Sequence, residues 1–222
     1  MMRALILGAS GGIGGAVAAR LRDGGGHVTG LSRSADGLDL TEAATLQDHA
    51  TRLAGQEFDL IFNATGALMI GEDRPEKSFE AARADAMARQ FALNATGVAL
   101  AIRYFAPLLA GDRRAVFASL SARVGSIGDN RLGGWFGYRA AKAAQNQIIR
   151  CGAIEWRRRN ARSIFVALHP GTVTTPLTAR YADRYPTISP ARSAEALLSV
   201  IDGLTPQDSG GFYDWKGQRI EW

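Results

Sequence analysis

Near its start the chain runs Ile6-Leu7-Gly8-Ala9-Ser10-Gly11-Gly12-Ile13-Gly14, a short apolar segment that breaks into closely spaced glycines and then into a helical pattern. Glycine turns tightly and lets another backbone come close without steric cost. Strand, glycine turn and helix in this order form the first half of a βαβ unit and commit the chain to a parallel sheet. The turn also aims the unpaired N–H groups of the helix N-terminus at whatever lies above it, which suits a pyrophosphate. Gly8, Ser10, Gly11, Gly12, Ile13 and Gly14 are therefore candidate ligands of a dinucleotide. Their spacing is Gly-xxx-Gly-x-Gly, not Gly-x-Gly-x-x-Gly. A ligand-free β–α turn would carry the same local pattern.

The alternation continues to the end. Strands are expected near Arg3–Leu7, His27–Leu31, Phe58–Asn63, Ala115–Ser119, Ser163–Leu168 and Gly211–Tyr213. Helices are expected near Ile13–Arg22, Glu42–Leu53, Arg83–Leu109, Tyr138–Arg159 and Ser193–Asp202, with Thr41 and Ser193 as helix starts. This pattern predicts an α/β fold, a single Rossmann-like doubly wound parallel sheet with helices on both faces, as one domain over residues 1–222. Between Leu31 and Phe58 there is room for one helix only, so Gly37–Leu40 reads as a very short strand and one helix of the usual pattern is missing. Gly71–Lys77, Ile127–Gly134 and Pro176–Pro190 mix polar residues with Gly and Pro and suit the rim of a site.

Composition narrows the function. A chain of 222 residues with 46% hydrophobic and 21% charged residues can bury a core without disulfides or metals. Cys151 is the single cysteine, which fits a reducing compartment, and His27, His49 and His169 are too scattered to suggest a metal site. The apolar run at Met1–Leu7 is short and ends in glycine, so it reads as a buried strand and not a signal peptide. No stretch approaches the roughly 18 consecutive apolar residues of a membrane span. A cytoplasmic protein without nucleic-acid or membrane partners is expected. The net charge of +5 is dispersed, with Arg157-Arg158-Arg159 falling at a helix end, and it favours an anionic cofactor.

Tyr138 and Lys142 carry the chemistry. Residues at i and i+4 share a helix face, where a phenol and an ammonium can act as one proton-transfer unit. Lysine is rare here (Lys77, Lys142 and Lys216) while arginine is abundant, yet Lys142 stands where arginine could not serve. The second strand ends Gly30-Leu31-Ser32-Arg33-Ser34 without an acid. A carboxylate there would bind a ribose 2′-hydroxyl, whereas Ser32 and Arg33 suit a 2′-phosphate, so NADP(H) is the expected cofactor.

With Gly8-xxx-Gly12-x-Gly14, Asn63-Ala64-Thr65-Gly66, Asn94, Tyr138-xxx-Lys142 and Pro170-Gly171 in this order, the chain resembles the short-chain dehydrogenase/reductase family over nearly its whole length. Within it, Gly125-Ser126-Ile127, Gly133-Gly134-Trp135, Tyr138-Arg139-Ala140-Ala141-Lys142 and Gly211-Phe212-Tyr213-Asp214-Trp215 look most like the small carbonyl reductases of the Sniffer and C-factor type. The resemblance implies that Asp39 and Leu40 lie against the adenine and that Asn63, Ala64, Thr65 and Gly66 line the cofactor. It places Pro170, Gly171, Val173 and Thr175 at the nicotinamide, and gives Tyr138 as acid, Lys142 as its partner and ribose ligand, and Asn94 as holder of a relay water. The family usually carries Ser-Ser after the strand ending near Ser119. Aligned on Gly125, Ser121 matches the first serine and Ala122 the second. Ser121 is the expected partner of the substrate oxygen, reached by a small register shift, with Ser119 and Ser126 as alternatives.

The implied activity is NADPH-dependent reduction of a small carbonyl, or oxidation of the alcohol. The alternatives are a non-catalytic NADP(H)-binding sensor or signalling protein, and an interaction protein with a basic surface. A homo-oligomer built on the two long helices is expected. Leu177, Tyr181, Tyr185, Trp135 and Phe136 are candidate substrate contacts that equally suit core or interface packing.

Overall fold

The structure, a computed structural model, describes residues 1–174 and 187–222. Thr175, Leu177, Tyr181 and Tyr185 lie outside the described residues. Six strands form one sheet: β1 (Arg3–Leu7), β2 (His27–Leu31), β3 (Leu60–Asn63), β4 (Ala115–Leu120), β5 (Ser163–His169) and β6 (Gly211–Asp214). Their spatial order is β2-β1-β3-β4-β5-β6, and every pair is parallel. A parallel sheet is covered on both faces, which explains the unbroken burial of β3 and β4.

Alternate side chains of each strand point to opposite faces. Leu5, Leu7, Ile61, Phe117 and Phe165 meet Leu46 of α3 (Ala43–Arg52), Val98 and Phe105 of α5 (Gly97–Phe105), and Ile149 and Trp156 of α6 (Phe136–Arg157). Ala4, Ile6, Phe62, Val116 and Ile164 meet Val17 of α1 (Gly12–Asp23) and Leu197 and Ile201 of α7 (Pro190–Gly203). The sheet is thus doubly wound as expected.

Local details differ from the sequence expectation. Gly37–Leu40 forms no strand. After β2 the chain makes a four-residue helix, α2 (Arg33–Asp36), turns through Gly37 at φ 73°, and buries Leu38 and Leu40 in the core before α3. Burial of alternate leucines imitates a strand there, but no neighbour among the described residues pairs with it. Thr41 is not the cap of α3, which begins after Glu42 without a side-chain cap; Thr41 bonds Asp39 instead. Ser193 is fully buried inside α7, and Ser189 is the cap, accepting from Arg192 N–H at 3.2 Å.

The long helix expected at Arg83–Leu109 is α4 (Ala84–Phe91), a π-helical turn at Ala92–Thr96, α5, and a 3₁₀ turn at Ala106–Leu108. Its run Ala84–Leu108 contains an 18-residue window of mean hydropathy 1.3 and is, by length and composition, apolar enough to cross a membrane. Here it supplies core side chains, and its buried Gln90 and Asn94 bond the loop after β3.

Candidate functional site

The candidate residues gather where the β-strands end. Such a C-terminal edge is where open α/β sheets take ligands. At the end of β1, Gly8 adopts φ 86°, and an added Cβ would lie 3.1 Å from the Ala64 carbonyl carbon. An added Cβ on Gly14 would lie 3.0 Å from Ala64 Cβ and collide with Gly8 O. These two glycines let α1 dock on the ends of β1 and β3. Helix α1 starts after Gly11 with no side-chain cap and no acid in its first turn. Its first N–H groups and positive dipole end therefore have no competing carboxylate nearby in sequence.

At the end of β2 the expected anion ligands divide. Ser32 is buried, and its hydroxyl caps α2, accepting from Ala35 N–H and donating to Asp36 Oδ2, both at 3.2 Å. Arg33 is exposed at the first turn of α2. Ser34, which no motif marks, donates to Ser10 Oγ across the turn at 3.2 Å. Arg33, Ser34 and Ser10 can meet an anion there, while Ser32 shapes the backbone beneath them. Asp39 is held by Thr41, whose hydroxyl and N–H lower its pKa first, with Arg33 adding a smaller pull. Leu40 is buried, and an added Cβ on Gly97 would lie 2.9 Å from its Cβ.

At the end of β3, Asn63 is fully buried. It donates to Ser119 Oγ at 3.0 Å and accepts from Thr65 Oγ1 at 2.6 Å. It therefore ties the β3 turn to β4 and does not point outward. Gly66 follows at φ 125°. An added Cβ there would lie 2.8 Å from Asn94 Oδ1 and 3.1 Å from Lys142 Nζ. Asn94, in the π turn, accepts from Ala67 N–H at 3.1 Å and donates to Ala67 O at 2.9 Å. Gln90 supports it by accepting from Asn94 Nδ2 at 2.8 Å and donating to Leu68 O at 2.9 Å. The π turn clamps the loop after β3 against the centre of the site, a common functional placement for this irregularity.

Helix α6 carries the central pair. Lys142 Nζ lies 5.7 Å from the Tyr138 ring centroid. Enclosure of the half-buried Tyr138 raises its phenol above the usual range. Lys142 is 3% exposed, and burial lowers it to about 7. The ammonium donates to Gln145 Oε1 at 2.8 Å and to Leu120 O at 3.1 Å. Before Tyr138 the chain holds three successive left-handed residues, Gly133, Gly134 and Trp135. Trp135 N–H donates to Glu76 O at 2.6 Å, and Gly137 N–H donates to the Glu76 carboxylate at 3.3 Å. Glu76 thus anchors the start of α6, a role without a local sequence signal.

Beyond β4, Ser121 is buried and donates to Asn146 Oδ1 at 2.7 Å. Ser119 accepts from Asn63 and from Gln145, and Ser126 accepts from Asp129 N–H. Each serine is thus engaged inside the protein, and Ala122 follows Ser121. After β5, Pro170 O accepts from Ser193 Oγ at 2.8 Å, and Gly171 turns at φ 80° under Trp215. Buried Val173 forms a parallel bridge to Ile188. His169 is lowered to about 4 by burial, then by Arg123, with Asp214 opposing, and its Nδ1 is buried without a hydrogen-bond partner among the described residues.

A family model described as enoyl-(acyl carrier protein) reductase matches residues 38–208. The chain is 30% identical, over the full length of both proteins, to 1-hydroxy-2-glutathionyl-2-methyl-3-butene dehydrogenase of Rhodococcus sp. (strain AD45). It is 35% identical to C-signal of Myxococcus xanthus over 61% of this chain and 78% of that one. Among solved structures, NADPH-bound carbonyl reductase from chicken fatty liver superposes with a TM-score of 0.83 at 24% identity, covering 100% of this chain and 99% of the other. Carbonyl reductase Sniffer of D. melanogaster gives 0.80 at 20% identity, covering all of both chains. The fold, the strand-end site and these matches define an oxidoreductase, and the chain belongs to the short-chain dehydrogenase/reductase family.

Proposed function

We propose that the protein is an NADP(H)-dependent oxidoreductase acting on a small carbonyl or the corresponding alcohol, within one dinucleotide-binding domain. The observation that carries this reading is the placement of Tyr138 and Lys142 beside Gly66 and Asn94, at the sheet edge that also holds the open N-terminus of α1. The cradle fits a dinucleotide, since Cβ atoms at Gly8 or Gly14 would close the turn. Gly12 and Ile13 would offer N–H groups to the pyrophosphate, while Gly11 N–H closes the turn on Gly8 O at 3.0 Å, and Arg33 with Ser34 and Ser10 would meet the 2′-phosphate. Ala64, Thr65, Gly66, Pro170, Gly171 and Val173 would line the nicotinamide half. The NADPH named for the chicken enzyme agrees with this choice.

When bound, the reduced nicotinamide supplies hydride to the carbonyl carbon. Tyr138 gives its phenolic proton to the carbonyl oxygen. The Lys142 ammonium offsets the phenolate that results and would hold the ribose. Asn94 fixes the loop at Gly66 and would hold the water that returns the proton. Exposed Phe79 and Ile127 lie beside the start of α6, which supports burial of that face in a homo-oligomer. The single cysteine supports a cytoplasmic setting.

The engaged hydroxyl of Ser121 and the methyl of Ala122 favour a second reading, a non-catalytic NADP(H)-binding protein. Assay with NADPH and a panel of small aldehydes and ketones separates the two. Turnover that falls by about 10²–10⁴ in Tyr138→Phe, with NADPH binding kept, supports the enzyme. NADPH binding without turnover on any carbonyl supports the second reading.

A further inference from the structure

Beneath Lys142 runs a chain of buried polar side chains. Gln145, one helical turn further along α6, is fully buried. Its Nε2 donates to Ser119 Oγ and to Leu120 O, both at 3.0 Å, and its Oε1 accepts from Lys142 Nζ at 2.8 Å. The orientation of the amide follows from its partners: the ammonium only donates, and the Leu120 carbonyl only accepts. Ser119 Oγ accepts a second bond from Asn63 Nδ2 at 3.0 Å, and Asn63 Oδ1 accepts from Thr65. The amide is thus locked to β4 and, through Ser119 and Asn63, to the β3 turn. An uncharged polar group sealed against a sheet costs stability unless its bonds are made, and a glutamine there needs a reason beyond packing.

We propose that Gln145 is a positioning residue of the reaction: its locked amide seats the Lys142 ammonium next to Tyr138 and keeps the proton on it, with no carboxylate paired to it among the described residues. This rests on the reading of Tyr138 and Lys142 as the proton-transfer pair. The groups packed around Lys142 show why the amide matters. From α6 comes the Tyr138 phenol, and from β4 the neutral Ser119 and Leu120 carbonyl. From the loop after β3 and the π turn come Gly66 and the neutral Asn94. The 3₁₀ turn Arg123–Gly125 presses so close that a Cβ on Gly125 would lie 2.9 Å from Lys142 Cβ. Its one charge, Arg123, pairs with Asp129 and Asp214, each at 3.1 Å. Lys142 forms no ion pair among the described residues, so the hydrogen bond to Gln145 Oε1 is the adjustable contact that favours its charged form.

The test is a pH titration of lysine side-chain NMR signals in ¹³C,¹⁵N-lysine-labelled protein. It is practicable because Lys77 and Lys216 are exposed and are the only other lysines. In Gln145→Leu the Lys142 midpoint should fall by about one pH unit. In Gln145→Glu, a second variant should the first fail to fold, it should rise. In kcat/KM profiles the alkaline limb should move with the Lys142 midpoint, so that Gln145→Leu regains turnover on acidification. An unmoved Lys142 midpoint in either folded variant overturns the proposal, as does a loss of turnover equal at every pH. A shifted midpoint in protein whose wild type reduces no carbonyl would refute the enzyme reading alone, because the lysine titration needs no cofactor.

Discussion

Replacing Gly66 by alanine tests whether the loop after β3 and the π turn share one tightly fitted centre. The backbone at φ 125° is strained for any L side chain, at a cost of roughly 1–3 kcal/mol. The new Cβ would also stand 2.8 Å from Asn94 Oδ1 and 3.1 Å from Lys142 Nζ, so two buried side chains must move. Overpacking of this kind adds about 1–3 kcal/mol, for a total of roughly 4 kcal/mol. At about 2–4 °C per kcal/mol for a protein of this size, the melting temperature should fall by about 8–16 °C. Gly37→Ala is the control: φ is 73°, and no described residue lies within 4 Å of the added Cβ. It should cost only the left-handed backbone, about 1–2 kcal/mol. Scanning calorimetry and turnover measured well below the transition should separate the pair, with activity collapsing in Gly66→Ala alone. Equal melting temperatures and equal turnover in the two variants would refute the shared centre.

Three further outcomes are expected. Arg33→Ala should weaken NADPH binding by about 10–100-fold, the loss of a charge-assisted bond, and leave NADH binding nearly unchanged, as read by isothermal titration. Because the folded state holds His169 near 4 against an ordinary 6.5, the unfolded chain takes up a proton first on acidification. Stability is then lost as pH falls from 6.5 towards 4, and His169→Gln should show a shallower loss of melting temperature across that window. Ser189→Ala should remove the cap of α7 at a cost of about 1 kcal/mol without changing turnover, whereas an uncapped helix start would leave the melting temperature unaltered.

What the sequence reveals depends on how local the determining contact is. β1 ends where its apolar run ends, because a strand buried on both faces reads continuously along the chain. Tyr138 and Lys142 were legible for the same reason, since helical spacing alone sets their shared face. The π turn was hidden because it follows from how Asn94 and Gln90 bind Ala67 and Leu68, more than twenty residues away. Ser189 could have been found: Pro190 occupies the first helical position, which marks the residue before it as the cap. Ser32 looked like a phosphate ligand because its residue type is equally suited to capping a helix, and the four-residue α2 was not foreseen. Gln145 and Glu76 carry no motif, and their significance appears only when β4 and the start of α6 are brought to them.

Direct titration of the purified protein with NADPH and with NADH, followed by intrinsic fluorescence and thermal shift, tests the cofactor assignment at its root. Saturable binding of NADPH with marked stabilisation, and much weaker binding of NADH, is the expected result. Binding of neither dinucleotide would contradict the assignment of the Gly8–Gly14 turn, Arg33 and Lys142 to a nicotinamide cofactor.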